Sequence, residues 1–534
     1  MTKYLGIAAT AYGKVSGTEL GGRYAGITLF KGIPYAAPPV GELRWQAPRE
    51  VQGWDGVREC TSYAPVCVQP TGGDLNAEPW ATDFYFAGSR PMSEDCLYLN
   101  IATGAASADE RRPVFVWFHG GGSDHGYSYE VEFDPRELAR KGVVVVSVAQ
   151  RLSMFGYLTL PQLSAEQGGK SGNYILMDNK KALQWVIDNI AAFGGDPDTI
   201  TVGGQSAGSM KSAMAAFTSI APGHVKRVIN QSSLVWKRKV KTLEQAQQEC
   251  ARYLEEIGID PTLPVDELRK IDPYRFLPPK DKNIRIPGPL VYDGTLVPDP
   301  DLADTMERFG SVYDYLAGSN LGETHMRESA GRGERDFSSA AEFYAFCRKL
   351  LGRLYDEYDF EKLVPVTDEN AERVSRALVS LGLYEGERMG NLTVNRLFGK
   401  HRAKTAHGKK TFTYLFTRVA PSRPEDRGTD RDPDALMSWH SNELWYTFAS
   451  LREDVPPARP WEPRDYELAD QMSGYWANFI KTGDVNGEGL PHWPESGDML
   501  AFAALGDEIK TFNGLGRLDE LILRFLDSRR GVHK

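Results

Sequence analysis

The feature that most constrains this chain is a five-residue turn, Gly204-Gln205-Ser206-Ala207-Gly208, set between two segments of different period. Before it, Thr199 to Val202 reads as a short strand. After it, Met210, Ala213, Met214 and Phe217 fall at helical spacing. A strand that runs through a glycine-flanked serine into a helix throws the serine side chain forward, and a Cβ at either flanking glycine would crowd the turn. The helix that follows aims its first N–H groups at any negative charge developing beside the serine. Pentapeptides of this kind occur by chance, so the strand-before, helix-after context carries the weight.

Upstream, Val114 to Phe118 is a continuous apolar run that ends in His119-Gly120-Gly121-Gly122, and Val143 to Ala149 is a second such run. Runs like these suit strands covered on both faces. Successive glycines let backbone N–H groups approach a substrate oxyanion without Cβ interference. Between Asp178 and Phe193, Leu183, Val186, Ile187 and Ile190 line one helix face, which Gly194-Gly195-Asp196-Pro197 stops. Later strand candidates are Val228–Ile229, Tyr313–Ala317 and Phe412–Phe416. The alternation predicts an α/β protein with a large, mostly parallel central sheet flanked by helices. With no repeat and no linker, residues 1–534 are expected to form a single domain. Charged helical stretches, roughly 242–285 and 334–407, are expected as insertions over the sheet.

Composition narrows the partners. The 62 basic and 72 acidic residues leave a net charge of −10 with no Lys/Arg block, which argues against nucleic acid and against an anionic membrane. No apolar run approaches the roughly 18 residues that span a bilayer, and Leu5 to Ala11 is short for the apolar part of a leader. The five cysteines, Cys60, Cys67, Cys96, Cys250 and Cys347, are few and odd in number, so a cytoplasmic setting is expected. No CxxC or HExxH spacing is present, and neither metal nor organic cofactor is expected.

A serine nucleophile needs a base and an acid, in the chain order Ser, acid, His for this kind of turn. Of nine histidines, His119 belongs to the glycine loop and His533 is terminal. His401 and His407 lie in a basic stretch, and His125, His224, His325 and His492 sit in polar turns. His440, in Trp439-His440-Ser441-Asn442-Glu443-Leu444, stands between a charged loop and an aromatic run, where it can reach into a site. The residues alone do not choose among these, nor one acid among 72.

Longer motifs do. Gly194-Gly195-Asp196-Pro197 followed by the serine pentapeptide resembles the type-B carboxylesterase and cholinesterase family of α/β-hydrolases, its bacterial para-nitrobenzyl-esterase-like branch in particular. Phe30-Lys31-Gly32-Ile33-Pro34-Tyr35-Ala36 with Leu43-Arg44 is similar to the family's first signature, and Ser93-Glu94-Asp95-Cys96-Leu97-Tyr98-Leu99-Asn100 to its second. Gly172-Asn173 through Trp185-Val186, and Trp476-Ala477-Asn478-Phe479 with Thr482-Gly483-Asp484, follow in collinear order over nearly the whole chain.

The resemblance implies an α/β-hydrolase fold with helical insertions over the active site. It also implies a serine carboxylic-ester hydrolase that works through an acyl-enzyme on small or medium esters. It makes Ser206 the nucleophile, Glu323, in Gly318-Ser319-Asn320-Leu321-Gly322-Glu323, the acid, and His440 the base, with Glu443 close by. Gly121, Gly122 and Ala207 would supply the oxyanion-hole N–H groups, Arg44 with Glu94 and Arg151 with Asp178 structural ion pairs, and Cys67 with Cys96 the family's first disulfide position. The rival class is a non-catalytic binding protein; the closer rival is an amide or carbamate hydrolase with the same triad.

Three departures stand out. Gln205 replaces a common glutamate, which removes a negative charge beside the site and argues against a choline-like cation. Ser123 replaces an aromatic residue after the glycine triplet, and Cys250 has no mate. Trp80, Phe84, Tyr85 and Phe86 form an aromatic cluster that suits either the alcohol side of the pocket or plain packing.

Overall fold

The computed structural model describes residues 4–70, 90–234, 236, 239–279, 282, 284–323, 337, 339–383, 391–429, 432–452 and 459–532. Among these, the main sheet has strands β1 (Thr18–Glu19), β2 (Thr28–Pro34), β3 (Tyr98–Thr103), β4 (Arg112–Phe118), β5 (Val144–Val148), β6 (Gly195–Gln205), β7 (Val225–Gln231), β8 (Asp314–Asn320), β9 (Thr411–Phe416), β10 (Phe502–Leu505) and β11 (Ile509–Phe512). Their order across the sheet is β11-β10-β9-β8-β7-β6-β4-β5-β3-β2-β1. From β10 to β5 every neighbouring pair is parallel, while antiparallel strands finish both edges. The mostly parallel sheet expected from the apolar runs is therefore present.

Alternation along the central strands explains why both faces are covered. Val114, Val116 and Phe118 of β4 enter one apolar core, and Phe115 and Trp117 enter the other. In β5, Val144, Val146 and Val148 face the first core and Val145 the second. Each such fully buried side chain contributes about 1.5–3 kcal/mol. Helix Tyr174–Asn189 lies on the first face and helix Pro463–Thr482 on the second.

The strand before the serine differs from expectation. It is not a short Thr199–Val202 segment but an eleven-residue strand, β6, that starts at Gly195 and runs to Gln205. The glycines read as a stop do end the preceding helical turn, since Gly194 caps it at φ +76°, but the chain re-enters the sheet at once. The helical stretches include Leu243–Glu256, closed at its start by a Thr242–Gln245 capping box, and Val265–Lys270. Further on, Ala340–Leu351 and Ala371–Leu381 pack with the C-terminal helix Arg517–Val532 in an apolar cluster of their own.

Among the described residues no helix is long and apolar enough to cross a membrane, and no group of three or more His, Cys, Asp or Glu side chains is arranged to hold a metal ion. All five cysteines are buried thiols, and Cys96 hydrogen-bonds Cys67 without a covalent link.

Candidate active site

Ser206 sits at the C-terminal end of β6, with φ +57° and ψ −127°, outside the conformations a serine ordinarily adopts. Helix Ala207–Ala216 begins at the next residue. The flanking glycines are needed for close approach: a Cβ on Gly208 would lie 2.0 Å from the Phe118 carbonyl oxygen, and one on Gly204 would lie 2.3 Å from the Gly208 backbone. Helix Ala207–Ala216 thus presses directly on the end of β4, where the glycine loop starts. Ser206 N–H donates to Gln231 O at 2.8 Å, which ties the turn to β7.

The glycine loop takes left-handed backbone at Gly121 (φ +79°), Gly122 (φ +63°) and Ser123 (φ +73°). Ser123 does so without glycine's freedom and with its hydroxyl buried and unpartnered. Gly120, the first of the three successive glycines, packs on the serine. A Cβ there would be 3.4 Å from Ser206 Cβ and 3.0 Å from Gln205 Oε1. Loop, glutamine and serine meet at that point.

Glu323 follows β8, and His440 follows Trp439 in a loop stitched to it by backbone. Gly322 N–H donates to Ser438 O (2.9 Å), Leu321 N–H to Ser438 Oγ (3.1 Å) and Asn320 Nδ2 to Trp439 O (2.6 Å). Gly322 has no room for a Cβ, which would stand 2.8 Å from Leu436 O. The outcome is a buried pair, His440 Nδ1 donating to Glu323 Oε2 at 2.5 Å. Glu323 Oε1 accepts from Asn320 N at 2.8 Å.

The other ring nitrogen, His440 Nε2, lies 3.2 Å from Gln205 Nε2. The amide donates there, so the hydrogen bonds assign the ring a proton on Nδ1 and a lone pair on Nε2. Among the described residues no hydrogen bond reaches the Ser206 hydroxyl. Burial pulls the His440 pKa down, but the charge and hydrogen bond of Glu323, with the charge of Glu443, prevail and hold it above the ordinary imidazole value.

Glu443 is wholly buried beneath the pair. It accepts from Asn320 Nδ2 at 2.6 Å, and more loosely from Gln231 Nε2 (3.3 Å) and Ser232 Oγ (3.4 Å). Burial and the Glu323 charge push its carboxyl up to about 7, against the Asn320 hydrogen bond. Asn320 is not singled out by the sequence although it lies in the segment that holds Glu323; its bridging of the histidine loop and Glu443 is visible only in three dimensions.

The structure therefore brings Ser206, Gln205, Ala207, the loop Gly120–Gly122, His440, Glu323 and Glu443 to one end of the parallel strands. His224 is half-exposed on the turn before β7, bonded to Pro197 O. His125 pairs with Asp124 next to the glycine loop. His325, and the Trp80, Phe84, Tyr85 and Phe86 cluster, lie outside the described residues. The two ion pairs implied by resemblance are both present: Arg151–Asp178 at 2.6 and 2.9 Å, fully buried, and Arg44–Glu94 at 2.5 and 2.6 Å.

The sequence model of the carboxylesterase family matches residues 6–508. The chain is 29% identical over 498 residues to the para-nitrobenzyl esterase of Bacillus subtilis (strain 168), covering 91% of this chain and 92% of that protein. It is 29% identical over 552 residues to carboxylesterase 1D of Rattus norvegicus, covering 94% and 89%. A solved PNB esterase structure matches with a TM-score of 0.69 and 27% identity, over 95% of this chain and 97% of that one.

Proposed function

This chain belongs to the carboxylesterase family, a serine carboxylic-ester hydrolase on the α/β-hydrolase fold, and from that premise we propose that Ser206, His440 and Glu323 are its acyl-transfer triad. The observation that carries the assignment is the buried 2.5 Å contact between His440 Nδ1 and Glu323 Oε2, which leaves the lone pair on Nε2, the nitrogen that meets Gln205, the residue just before Ser206. His440 Nε2 takes the Ser206 proton as Oγ bonds to the ester carbonyl carbon. Gly121, Gly122 and Ala207 donate N–H groups to the oxyanion, and Glu323 supports the imidazolium. The bond to the alcohol oxygen then breaks as His440 returns the proton to it. Water, deprotonated by the same nitrogen, attacks the acyl carbon, and the acid leaves as Ser206 regains its proton.

The preferred substrates in this reading are neutral esters of small or medium acyl groups, because Gln205 places an amide, not a carboxylate, beside the base. We take residues 1–534 as one domain, with the helical stretches roughly 242–285 and 334–407 as insertions around the site. A cytoplasmic setting accords with five buried thiols. The test is labelling with a fluorophosphonate, followed by peptide mapping. The adduct is expected on Ser206 alone, with label and p-nitrophenyl ester turnover both lost in Ser206→Ala. A Ser206→Ala protein that still labels and turns over would remove the assignment.

A further inference from the structure

The helix that follows Ser206 carries one charged residue, Lys211, which is fully buried. Position 211 lies four residues after Ala207, on the same helix face, and helical side chains lean toward the N-terminus. The amine therefore extends toward the end of the helix that carries Ala207. It meets Gln150, itself buried just past β5. With the amide turned so that its oxygen faces the donors, Gln150 accepts from Lys211 Nζ at 3.0 Å and from His119 Nε2 at 2.6 Å, and donates to Val148 O at 3.1 Å. His119 is the residue that leads into Gly120, Gly121 and Gly122. Burial, and then the Lys211 charge, hold its ring well below the ordinary imidazole pKa, so the ring is neutral, and the turned Gln150 amide assigns its proton to Nε2.

The charged groups facing the amine are Glu130 and Asp124. Glu130 is hydrogen-bonded to Glu132 and to Tyr127 N, and Asp124 is paired with His125. Burial lowers the Lys211 amine to about 7 against the Glu130 and Asp124 charges, and raises the Glu130 carboxyl to about 7 against its hydrogen bonds with Glu132 and Tyr127 N. The amine donates to Gln150 whether or not it carries its extra proton.

An oxyanion site made from two stretches of chain works only if their separation is held to a fraction of an ångström. We propose that Lys211 is a positioning residue that clamps the two halves of the oxyanion site together, from Ala207's helix through Gln150 to His119 and the glycine loop. This rests on reading Gly121, Gly122 and Ala207 as the oxyanion donors. A methionine would fill the same space without burying an amine, so a lysine that served packing alone would be dispensable.

The test compares Lys211→Met, Gln150→Leu and the double variant, with Ser206→Ala in parallel. The readouts are kcat and KM for p-nitrophenyl butyrate, and the inhibition constant of an alkyl trifluoromethyl ketone, whose adduct places an oxyanion in the site. Each single variant is expected to lose about tenfold to a hundredfold in kcat and the same factor in ketone affinity, with KM nearly unchanged. The double variant is expected to be no worse than either single, because both cut one chain. A folded Lys211→Met protein with wild-type kcat and ketone affinity overturns the proposal, as do additive losses. If Lys211→Met does not fold, Gln150→Leu carries the same test with the lysine in place, and failure of both to fold assigns the chain to stability and overturns it too. Inactive Ser206→Ala beside unaffected Lys211→Met removes the clamp alone; active Ser206→Ala removes the triad reading.

Discussion

Gln205 Nε2 lies 3.2 Å from His440 Nε2, so the side chain just before the serine donates to the ring nitrogen that Glu323 leaves free. A glutamine in that place holds the neutral ring, because an amide N–H bonds the lone pair and cannot bond an imidazolium there.

The first prediction follows from that contact. Protonated His440 cannot accept the serine proton, so kcat/KM falls as pH drops through its pKa. A carboxylate at position 205 favours the charged ring and raises that pKa. Gln205→Glu is therefore expected to move the acidic limb upward in pH and to improve discrimination toward cationic esters over neutral ones. pH–rate profiles of both proteins on one neutral and one cationic ester check it; superimposable limbs with the same substrate ratio would contradict it.

Glu443 supplies a change of opposite sign. Its carboxylate raises the His440 pKa from beneath. Glu443→Gln removes that charge, so the acidic limb is expected to shift to lower pH. The limb of kcat/KM measured on p-nitrophenyl butyrate decides it, and a limb that stays in place or moves upward would mean that Glu443 is held as the neutral acid throughout.

The pair itself can be graded. His440→Ala leaves Ser206 without a base and is expected to cost on the order of 10⁴ or more in kcat. Glu323→Gln keeps the shape and removes the charge, so its loss is expected to be large but smaller. Single-turnover kinetics measure both, and a tolerated His440→Ala would send the search for the base to another histidine.

Arg44→Ala and Asp178→Ala are expected to act on the fold. Asp178→Ala strands the buried Arg151 at a cost of about 3–5 kcal/mol, and Arg44→Ala strands the half-buried Glu94 at a smaller cost. Lower thermal midpoints and poor yield should accompany near-normal turnover per active site, counted by fluorophosphonate titration. A stable but inactive Arg44→Ala protein would place that arginine in the chemistry instead.

Local features are legible in the amino-acid sequence by itself. The serine turn, the glycine loop and the apolar strands each announce themselves within about ten residues of chain. The acid and the base do not. His440 meets a carboxylate 117 residues away and a glutamine 235 away, contacts set by strand order in the sheet, and only the family resemblance points to them. The full length of β6 is hidden for a related reason. Gly203 and Gly204 look like breakers locally, but a Cβ on Gly203 would stand 2.7 Å from the Phe115 ring, so packing from the neighbouring strand requires them. Lys211 does carry a signal, the one charge between Ala207 and Ala216, but its destination cannot be read without Gln150 beside it.

The seam between the Glu323 loop and the His440 loop also governs how the enzyme fails. Three hydrogen bonds from residues 320–322 to residues 438 and 439 join the two loops to each other, whereas among the described residues the hydrogen bond from the serine turn to His440 is the one made by Gln205. Under heat or denaturant the acid and the base are then expected to travel as one piece, and inactivation to begin as a parting of that piece from Ser206. A thermally injured molecule would keep its histidine paired with its carboxylate while its serine stood idle, and activity lost in that way returns on cooling without refolding the sheet.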